Sequence, residues 1–247
     1  MDQVDMLTWL IENVPKEKDI VEAITLRVLI VNFAAIHTST MTFSHVFYHA
    51  AAYPEYQAEL RKEVDRVVAE CGWTKEALGK MVKLDISIKQ NSRFIGLGTM
   101  SLTRLAVKDF TFLDGTLIPK GTLVSAPIRA VHFDEEKYEH ADVFDSWRFA
   151  KMENARDSES LRNEFVNTRP DFLSFGLGKH ACPGRFFAST ELKGLLANFV
   201  HTYDMKSEQD GVVPDSSWIG MNNLPSTTAN VLFRKRRSRG QFFMIVS

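Results

Sequence analysis

One segment, residues 175–184 with the sequence FGLGKHACPG, constrains the fold and the chemistry of this chain more than any other. Its fixed points follow the pattern F-x-x-G-x-x-x-C-x-G and are Phe175, Gly178, Cys182 and Gly184. Gly176 and Gly178 give the backbone before the cysteine the freedom to turn its N–H groups toward the sulfur. The pattern therefore favours a cysteine that is held as a thiolate, the form in which cysteine binds a metal ion.

The residues around the cysteine predict the N-terminus of a helix. Pro183 is preset for a first helical position, and the run 185–199 is compatible with a helix. A helix that begins at Cys182 would direct its positive end at the sulfur and stabilise the deprotonated form. Gly184 would let this helix lie close to a flat ligand, and Phe175 would shield the sulfur from water.

The alternative interpretation of Cys182 is a buried structural thiol, which is what most single cysteines are. The context of residues 175–184 favours a ligand instead, because it closely resembles the haem-binding loop of the cytochrome P450 monooxygenases. This resemblance implies thiolate-ligated haem as the cofactor, with Cys182 bound to iron and with Phe175 and Gly184 beside it. The second cysteine, Cys71, precedes Gly72 at a predicted helix end, and we interpret it as structural.

The resemblance covers nearly the whole chain, but only the C-terminal half of the family pattern. Residues 1–236 match the region from just before the long central helix onward, and residues 237–247 form a tail. The implied fold is mainly α with small β-sheets. The family's N-terminal anchor and pocket helices have no counterpart, so we expect a fragment of a longer enzyme. The full-length family member is expected at the endoplasmic reticulum membrane.

Composition excludes several other classes of protein. The 247 residues are 45% hydrophobic and 25% charged with a net charge of −1, which is typical of a soluble globular chain. This balance gives no reason to propose a nucleic acid partner, and two cysteines cannot form a disulfide framework. Residues 1–13 lack the basic region of a secretory signal. The apolar stretch 20–35 contains Glu22 and Arg27, so it predicts a buried helix rather than a membrane span.

Periodicity and turn residues predict the order of helices and strands. Helices are expected at residues 16–50, 54–70, 75–81 and 84–94, and a helical turn at 130–133. Strands are expected at residues 101–107, 110–112, 116–118 and 123–128, and a β-hairpin region ends near Phe233. Residues 134–174 predict a polar loop with a surface insertion at 154–163. The basic run 234–239 favours a solvated tail over a nuclear or anionic-surface role.

A second motif lies in the long predicted helix, at residues 34–39 with the sequence AAIHTS. In the family, the matching segment ends in an acid and a threonine that pass protons during oxygen activation. Thr38 matches the threonine, and His37 replaces the acid. Because histidine can shuttle protons near neutral pH, the resemblance implies Thr38 and His37 as the catalytic pair. The alternative is that these are ordinary helix-packing residues.

A third match departs from the family at one position. The family has Glu-x-x-Arg where this chain has Gln90 and Arg93, and Arg148 matches a further arginine that pairs with the Glu. Gln90 can accept a hydrogen bond but cannot neutralise a charge, so we expect a weakened ionic core. The sequence Glu-x-x-Arg occurs at two other places, residues 63–66 and 159–162. We expect both to be chance pairs on the surface.

The resemblance also implies the groups that face the haem propionates. Arg104 matches a position that forms an ion pair with a propionate, and His132 and His180 stand at two further propionate-facing positions. His180 replaces the more common arginine, which is the better bidentate partner for a carboxylate. Ser101 and Leu102 are expected to face the substrate.

The implied function is that of a monooxygenase that inserts oxygen from O2 into a lipophilic small molecule. Electrons are expected from NADPH through a cytochrome reductase, and the overall resemblance is to fungal enzymes of secondary metabolism, on terpenoids or similar scaffolds. One alternative is a haem-binding isomerase or dehydratase, which the altered proton pair could suit. Another is a non-catalytic fragment that binds haem weakly or not at all.

Overall fold

The structure is a computed structural model, and it describes residues 5–13, 19–154 and 164–236. The chain divides into two compact units, Met1–Thr40 and Met41–Ser247. The boundary between the units falls within one long helix. The predicted surface insertion, apart from Asn154, and the last part of the basic run lie outside the described residues.

Helices are the main regular structure of the described chain, which confirms the predicted mainly α class. In chain order they are α1 (Met6–Asn13), α2 (Ile20–Ala52), α3 (Pro54–Cys71), α4 (Lys75–Lys80), α5 (Val82–Phe94), α6 (Ile128–His132), α7 (Arg148–Asn154) and α8 (Arg185–Thr202).

The residues that were predicted to mark the helix ends do so in the structure. Pro54 occupies the first turn of α3, and Gly72 ends that helix with a φ of 64°. Thr74 caps α4 by accepting a hydrogen bond from the Ala77 N–H.

The strands form small antiparallel pairs, which confirms the expected small sheets. They are β1 (Ser101–Leu105), β2 (Phe110–Thr111), β3 (Leu117–Ile118), β4 (Leu123–Ala126), β5 (Tyr203–Ser207), β6 (Ser217–Ile219), β7 (Asn222–Leu224) and β8 (Val231–Lys235). The pairs are β1 with β4, β2 with β3, β5 with β8 and β6 with β7. The pairing of β1 with β4 is interrupted by a bulge between Ser101 and Arg104.

The core of the second unit forms where α3, α5 and α8 pack together. Leu60 and Val64 on α3 are fully buried, and so are Leu196 and Val200 on α8. Each of these pairs is four residues apart, so both side chains lie on one face of their helix. Burying each such side chain contributes about 1.5–3 kcal/mol, which fixes α8 against the rest of the unit.

Glu63 corrects the prediction of a chance surface pair. Its side chain is buried, and its carboxylate accepts hydrogen bonds from the backbone N–H groups of Lys83 and Leu84 at 2.9 and 3.1 Å. These N–H groups belong to the first turn of α5, where a helix leaves donors without backbone partners. Glu63 therefore anchors the N-terminus of α5 to α3. The second pair, at residues 159–162, lies outside the described residues.

The first part of α2 corrects the prediction of a buried helix. By length and composition α2 could cross a membrane, since an 18-residue window has a mean hydropathy of 1.7, yet 6% of that window is buried. The complete helix α2 therefore meets the criteria of length and composition that residues 20–35 alone were expected to fail. The apolar side chains in the first part of α2 indicate a helix that other atoms should cover. In the described residues, these side chains are left uncovered.

Candidate functional site

The loop that carries Cys182 is closed by backbone hydrogen bonds. The Cys182 N–H donates to the carbonyl oxygen of Phe175 at 2.8 Å, and the Gly176 N–H donates to Leu173 at 2.9 Å. Gly176 and Gly178 adopt φ values of 74° and 69°, which side chains disfavour. The glycines are therefore required by the turn, as the sequence predicted. The loop holds the cysteine at the surface of the second unit with its side chain partly exposed.

The helix after the cysteine begins later than predicted. Helix α8 starts at Arg185, and Gly184 is its N-cap, so Cys182 precedes the first helical residue. The Arg185 side chain donates to the Cys182 carbonyl oxygen at 2.9 Å, which ties the helix to the loop. A Cβ atom at Gly184 would lie 3.9 Å from the Cys182 Sγ and would meet no other atom within 4 Å. Gly184 therefore leaves the space beside the sulfur open.

Aromatic side chains lie on the cysteine loop and on the helix that follows it. Phe175 is half-buried and its ring lies 4.7 Å from that of Phe165, which anchors the start of the loop. Phe186 and Phe187, in the first turn of α8, are 57% and 65% exposed. From the sequence, both phenylalanines were expected only as part of a helix, although the FF pair lies just after the motif.

Strand β1 contacts the cysteine loop through Leu102. A Cβ atom at Gly176 would lie 3.4 Å from the Leu102 Cδ2, so the two segments are in van der Waals contact. Leu102 has a φ of 56°, which is rare for a leucine and coincides with the bulge in β1. Strain of this kind is concentrated at functional sites. No sequence signal pointed to this conformation.

Arg104, two residues further along β1, is exposed and its guanidinium donates to the carbonyl oxygen of Thr103 at 2.8 Å. In the described part of the chain it has no carboxylate partner. His180 is also exposed, in a short turn ahead of the cysteine. Both side chains therefore remain candidates for binding an anionic group.

His132 is the site prediction that the structure contradicts. Its ring is buried, and both nitrogens are engaged: Nε2 accepts from the Leu173 N–H at 2.9 Å, and Nδ1 lies 3.2 Å from the Arg93 carbonyl oxygen. This pattern assigns the ring proton to Nδ1. Burial lowers the pKa of His132 to about 4, so the ring is neutral. A neutral ring without a free donor cannot hold a propionate, and His132 instead links α5 to the segment before the loop.

Arg93 and Arg148 lie in the interior, as predicted, at 1% and 7% exposure. Arg93 donates to the carbonyl oxygens of His132 and Ala141, and Arg148 donates to those of Glu139, His140 and Val143. Burial first, and then the charge of Arg148, lower the pKa of Arg93 to about 10. In the described residues neither guanidinium has a carboxylate within ion-pairing distance. Two positive charges are therefore buried together with carbonyl partners only.

Gln90 leaves this arginine pair incompletely satisfied. Its Oε1 accepts from the Arg93 Nε at 3.0 Å, but its Nε2 is buried without a hydrogen-bond partner. The Nε of Arg148 is also buried without a partner. The amide oxygen of Gln90 therefore serves the Arg93 Nε, while the Arg148 Nε has no acceptor among the described residues. A carboxylate at this position would offer a second acceptor in place of the unpartnered amide nitrogen.

The buried histidines predict a loss of stability in acid. Burial is the main cause that lowers the pKa values of His45, His49 and His132 from 6.5 to about 4. The unfolded chain binds protons that the folded chain excludes, so this stability is complete above pH 6.5 and is lost as the pH falls toward 4. His132 alone should lower the free energy of unfolding by at most about 3 kcal/mol between pH 6.5 and pH 4.

Urea unfolding at pH 7.5 and pH 4.5 measures this loss. The His132→Asn variant should show a smaller drop in the free energy of unfolding than the parent. The exposed His140 is the matched control, since His140→Asn should leave the drop unchanged. A His132→Asn variant with the pH dependence of the parent would contradict the assignment.

Thr38 and His37 lie in the first unit, on α2. The Thr38 Oγ1 donates to the Ala34 carbonyl oxygen at 2.6 Å, and the His37 ring lies 4.6 Å from the ring of Phe33. Both residues are exposed. The Thr38 hydroxyl therefore keeps its lone pairs free to accept a proton or a hydrogen bond.

The residues around Cys182 fit a haem group. The described residues contain no group of three or more His, Cys, Asp or Glu that could hold a metal ion, so a single thiolate is the candidate ligand. The thiol is partly exposed, Gly184 leaves its flank open, and exposed aromatic rings follow in the first turn of α8. Arg104 and His180 are exposed candidates for binding carboxylates. An apolar macrocycle with anionic edges has matching chemistry.

Comparison with known proteins agrees with this site. The family model "Cytochrome P450" matches residues 1–231. "Cytochrome P450 monooxygenase 151" of Postia placenta is 45% identical over 236 residues, which are 95% of this chain and 47% of the relative. "Cytochrome P450 monooxygenase CYP512U6" of Ganoderma lucidum is 37% identical over 233 residues, which are 94% of this chain and 45% of the relative. The chain thus spans about half the length of the curated relatives it matches, and it belongs to the cytochrome P450 family.

Proposed function

We propose that this chain carries the haem-binding part of a monooxygenase that inserts one atom of O2 into a C–H bond of a lipophilic small molecule. The observation that carries the proposal is Cys182, whose partly exposed sulfur stands on a loop fixed by the Phe175 carbonyl oxygen and by two glycines with positive φ. Family membership supports the reaction class. The relatives are fungal monooxygenases, and we propose a substrate from fungal secondary metabolism, such as a terpenoid.

Haem, when bound, supplies the iron at which dioxygen is reduced and its O–O bond is broken. Cys182 would ligate the iron, and Arg104 and His180 would bind the propionates. Phe175 would keep water from the sulfur. Reduction of O2 to one inserted oxygen atom and one water consumes two electrons and two protons. We propose that the electrons come from NADPH through a cytochrome reductase.

The protons are assigned to Thr38 and His37. The Thr38 hydroxyl can accept a proton while it donates to the Ala34 carbonyl oxygen, and His37 is next to it in sequence and exposed, so it can exchange protons with water. Histidine titrates close to neutral pH, which suits a group that is protonated again after each turnover. Thr38 matches the threonine of the family pattern, and His37 stands in place of its acid.

Thr38→Ala is expected to uncouple turnover in an enzyme that contains the complete domain. NADPH would still be consumed, but product per NADPH should fall by about tenfold or more, with peroxide in its place. Thr25→Ala, at an exposed threonine on the same helix, is the control and should leave the ratio unchanged. Equal product per NADPH in Thr38→Ala and the parent would remove the role of Thr38.

A second candidate function keeps the haem and omits monooxygenation. His37 in place of an acid favours it, because reactions that rearrange or dehydrate a substrate do not need protons for O2 reduction. Turnover without NADPH and reductase would establish this alternative. Failure of this chain to bind haem, together with the absence of any turnover, would establish the third possibility, a non-catalytic fragment.

A further inference from the structure

The two buried arginines of the second unit place their charges on the same turn of the chain. The Arg93 Nη2 donates to the Ala141 carbonyl oxygen at 3.0 Å. The Arg148 Nη2 donates to the carbonyl oxygens of His140 and Val143 at 2.7 and 3.0 Å. Because these carbonyl groups belong to residues that are adjacent or nearly so, the two guanidiniums are neighbours in the interior. Carbonyl oxygens accept their hydrogen bonds but carry no net charge to oppose theirs.

The side chains around Arg93 do not neutralise this charge. Glu135 acts on Arg93 only at longer range, since its side chain is exposed and accepts from the Ala141 N–H at 2.9 Å. The ring of Tyr138 lies 4.9 Å from the guanidinium carbon of Arg93. Burial and then the charge of Arg148 outweigh both groups and lower the pKa of Arg93 to about 10. The arginine pair therefore keeps an excess of buried positive charge.

The same cluster contains buried donors that no described residue satisfies. Gln90 is fully buried, and its Oε1 accepts from the Arg93 Nε at 3.0 Å, so the Nε2 of the same amide group also lies beside Arg93. The Gln90 Nε2 has no hydrogen-bond partner in the described part of the chain, and neither has the Arg148 Nε. Buried polar groups of proteins are nearly always paired with protein, water or an ion. Both of these atoms are donors, so the group that satisfies them must be an acceptor.

We propose that a small monovalent anion of the size of chloride binds beside the Arg93–Arg148 pair and accepts a hydrogen bond from the Gln90 Nε2. An anion fits this place better than water, because it satisfies a donor and also opposes the buried positive charge, which is costly when it is unpaired. A bound ion would then supply the negative charge that the side chain at position 90 does not carry. The inference concerns folding and is independent of haem and of the proposed activity.

Chloride titration of the unfolding equilibrium tests the proposal. Urea unfolding is measured at constant ionic strength while chloride replaces gluconate, an anion too large for a buried site. A ligand that binds only the folded state raises the folding equilibrium constant with its concentration. For about a tenfold rise in chloride, we expect this constant to rise at least about threefold in the parent.

A matched pair of variants separates this site from general effects of salt. Gln90→Glu places a carboxylate where the anion would bind, so it should lose most of the chloride response. Gln209→Glu makes the same chemical change at an exposed glutamine and should respond like the parent. A parent whose stability does not depend on chloride, or a Gln90→Glu variant that responds as strongly as the parent, would overturn the proposal.

Bromide locates the ion directly, because its anomalous scattering identifies it in a crystal. Crystals of the parent grown with bromide in place of chloride should show an anomalous peak within hydrogen-bond distance of the Gln90 Nε2, and crystals of Gln90→Glu should show none there. The absence of this peak in the parent would also overturn the proposal, since water would then satisfy the donor.

Discussion

Gln90→Glu is expected to raise the free energy of unfolding by about 2–4 kcal/mol. The change replaces a buried amide nitrogen that has no partner with an oxygen that can accept a hydrogen bond. It also places a negative charge beside the buried guanidinium of Arg93, whose Nε already donates to residue 90. Glutamine and glutamate are nearly equal in size, so the core does not have to repack. This gain exceeds the 0–1 kcal/mol that a surface ion pair typically provides.

Gln57 offers a control with the opposite expected sign. It is also buried, but its Nε2 donates to the Ala50 and Met205 carbonyl oxygens at 3.2 and 2.9 Å. A glutamate at that position would bring an oxygen against two carbonyl oxygens, so Gln57→Glu should destabilise the chain. Urea unfolding of both variants at pH 7 measures the difference. If Gln90→Glu destabilises the chain as Gln57→Glu does, Arg93 is already satisfied by its carbonyl acceptors and the glutamine at this position is not a defect.

Local signals in the sequence predicted most of the helices and the cysteine loop. Pro54 and Gly72 bound α3 because the first lacks an N–H and the second tolerates a positive φ, and both effects act within a few residues. The glycines of the loop were predicted for the same reason. Such features depend only on residues that are close in the sequence, so they can be predicted from the sequence alone.

Features that depend on distant partners were not predictable. The sequence placed His132 at a propionate because its position matches a family pattern, but the ring nitrogens are committed to backbone groups of Arg93 and Leu173. Glu63 looked like a surface pair because no local pattern indicates that it meets the first turn of α5. For α2, hydrophobicity indicated that a cover is needed but not what provides it.

Cys182→Ala is expected to abolish thiolate ligation completely, which is the largest effect in this account. Cys182 is the single candidate ligand on the loop, and no other side chain among the described residues forms a metal-binding group with it. The alanine keeps the loop intact, because the bond that closes it uses the backbone N–H of residue 182 and the Phe175 carbonyl oxygen. The variant should therefore fold like the parent and lose only the sulfur.

Cys71→Ala is the matched control. The Cys71 Sγ accepts from the Lys80 Nζ at 3.2 Å on the exposed side of α4, so its loss removes a surface contact and leaves the loop unchanged. Haem bound to this variant should keep its thiolate character. A loss in both variants would indicate a general effect on folding rather than ligation.

The Soret band of the reduced, carbon monoxide-bound protein tests the central claim most directly in the chain loaded with haem. We predict a red-shifted band, typical of thiolate ligation, in the parent and in Cys71→Ala, and no such band in Cys182→Ala. A red-shifted band that persists in Cys182→Ala would contradict the assignment of this cysteine as the iron ligand.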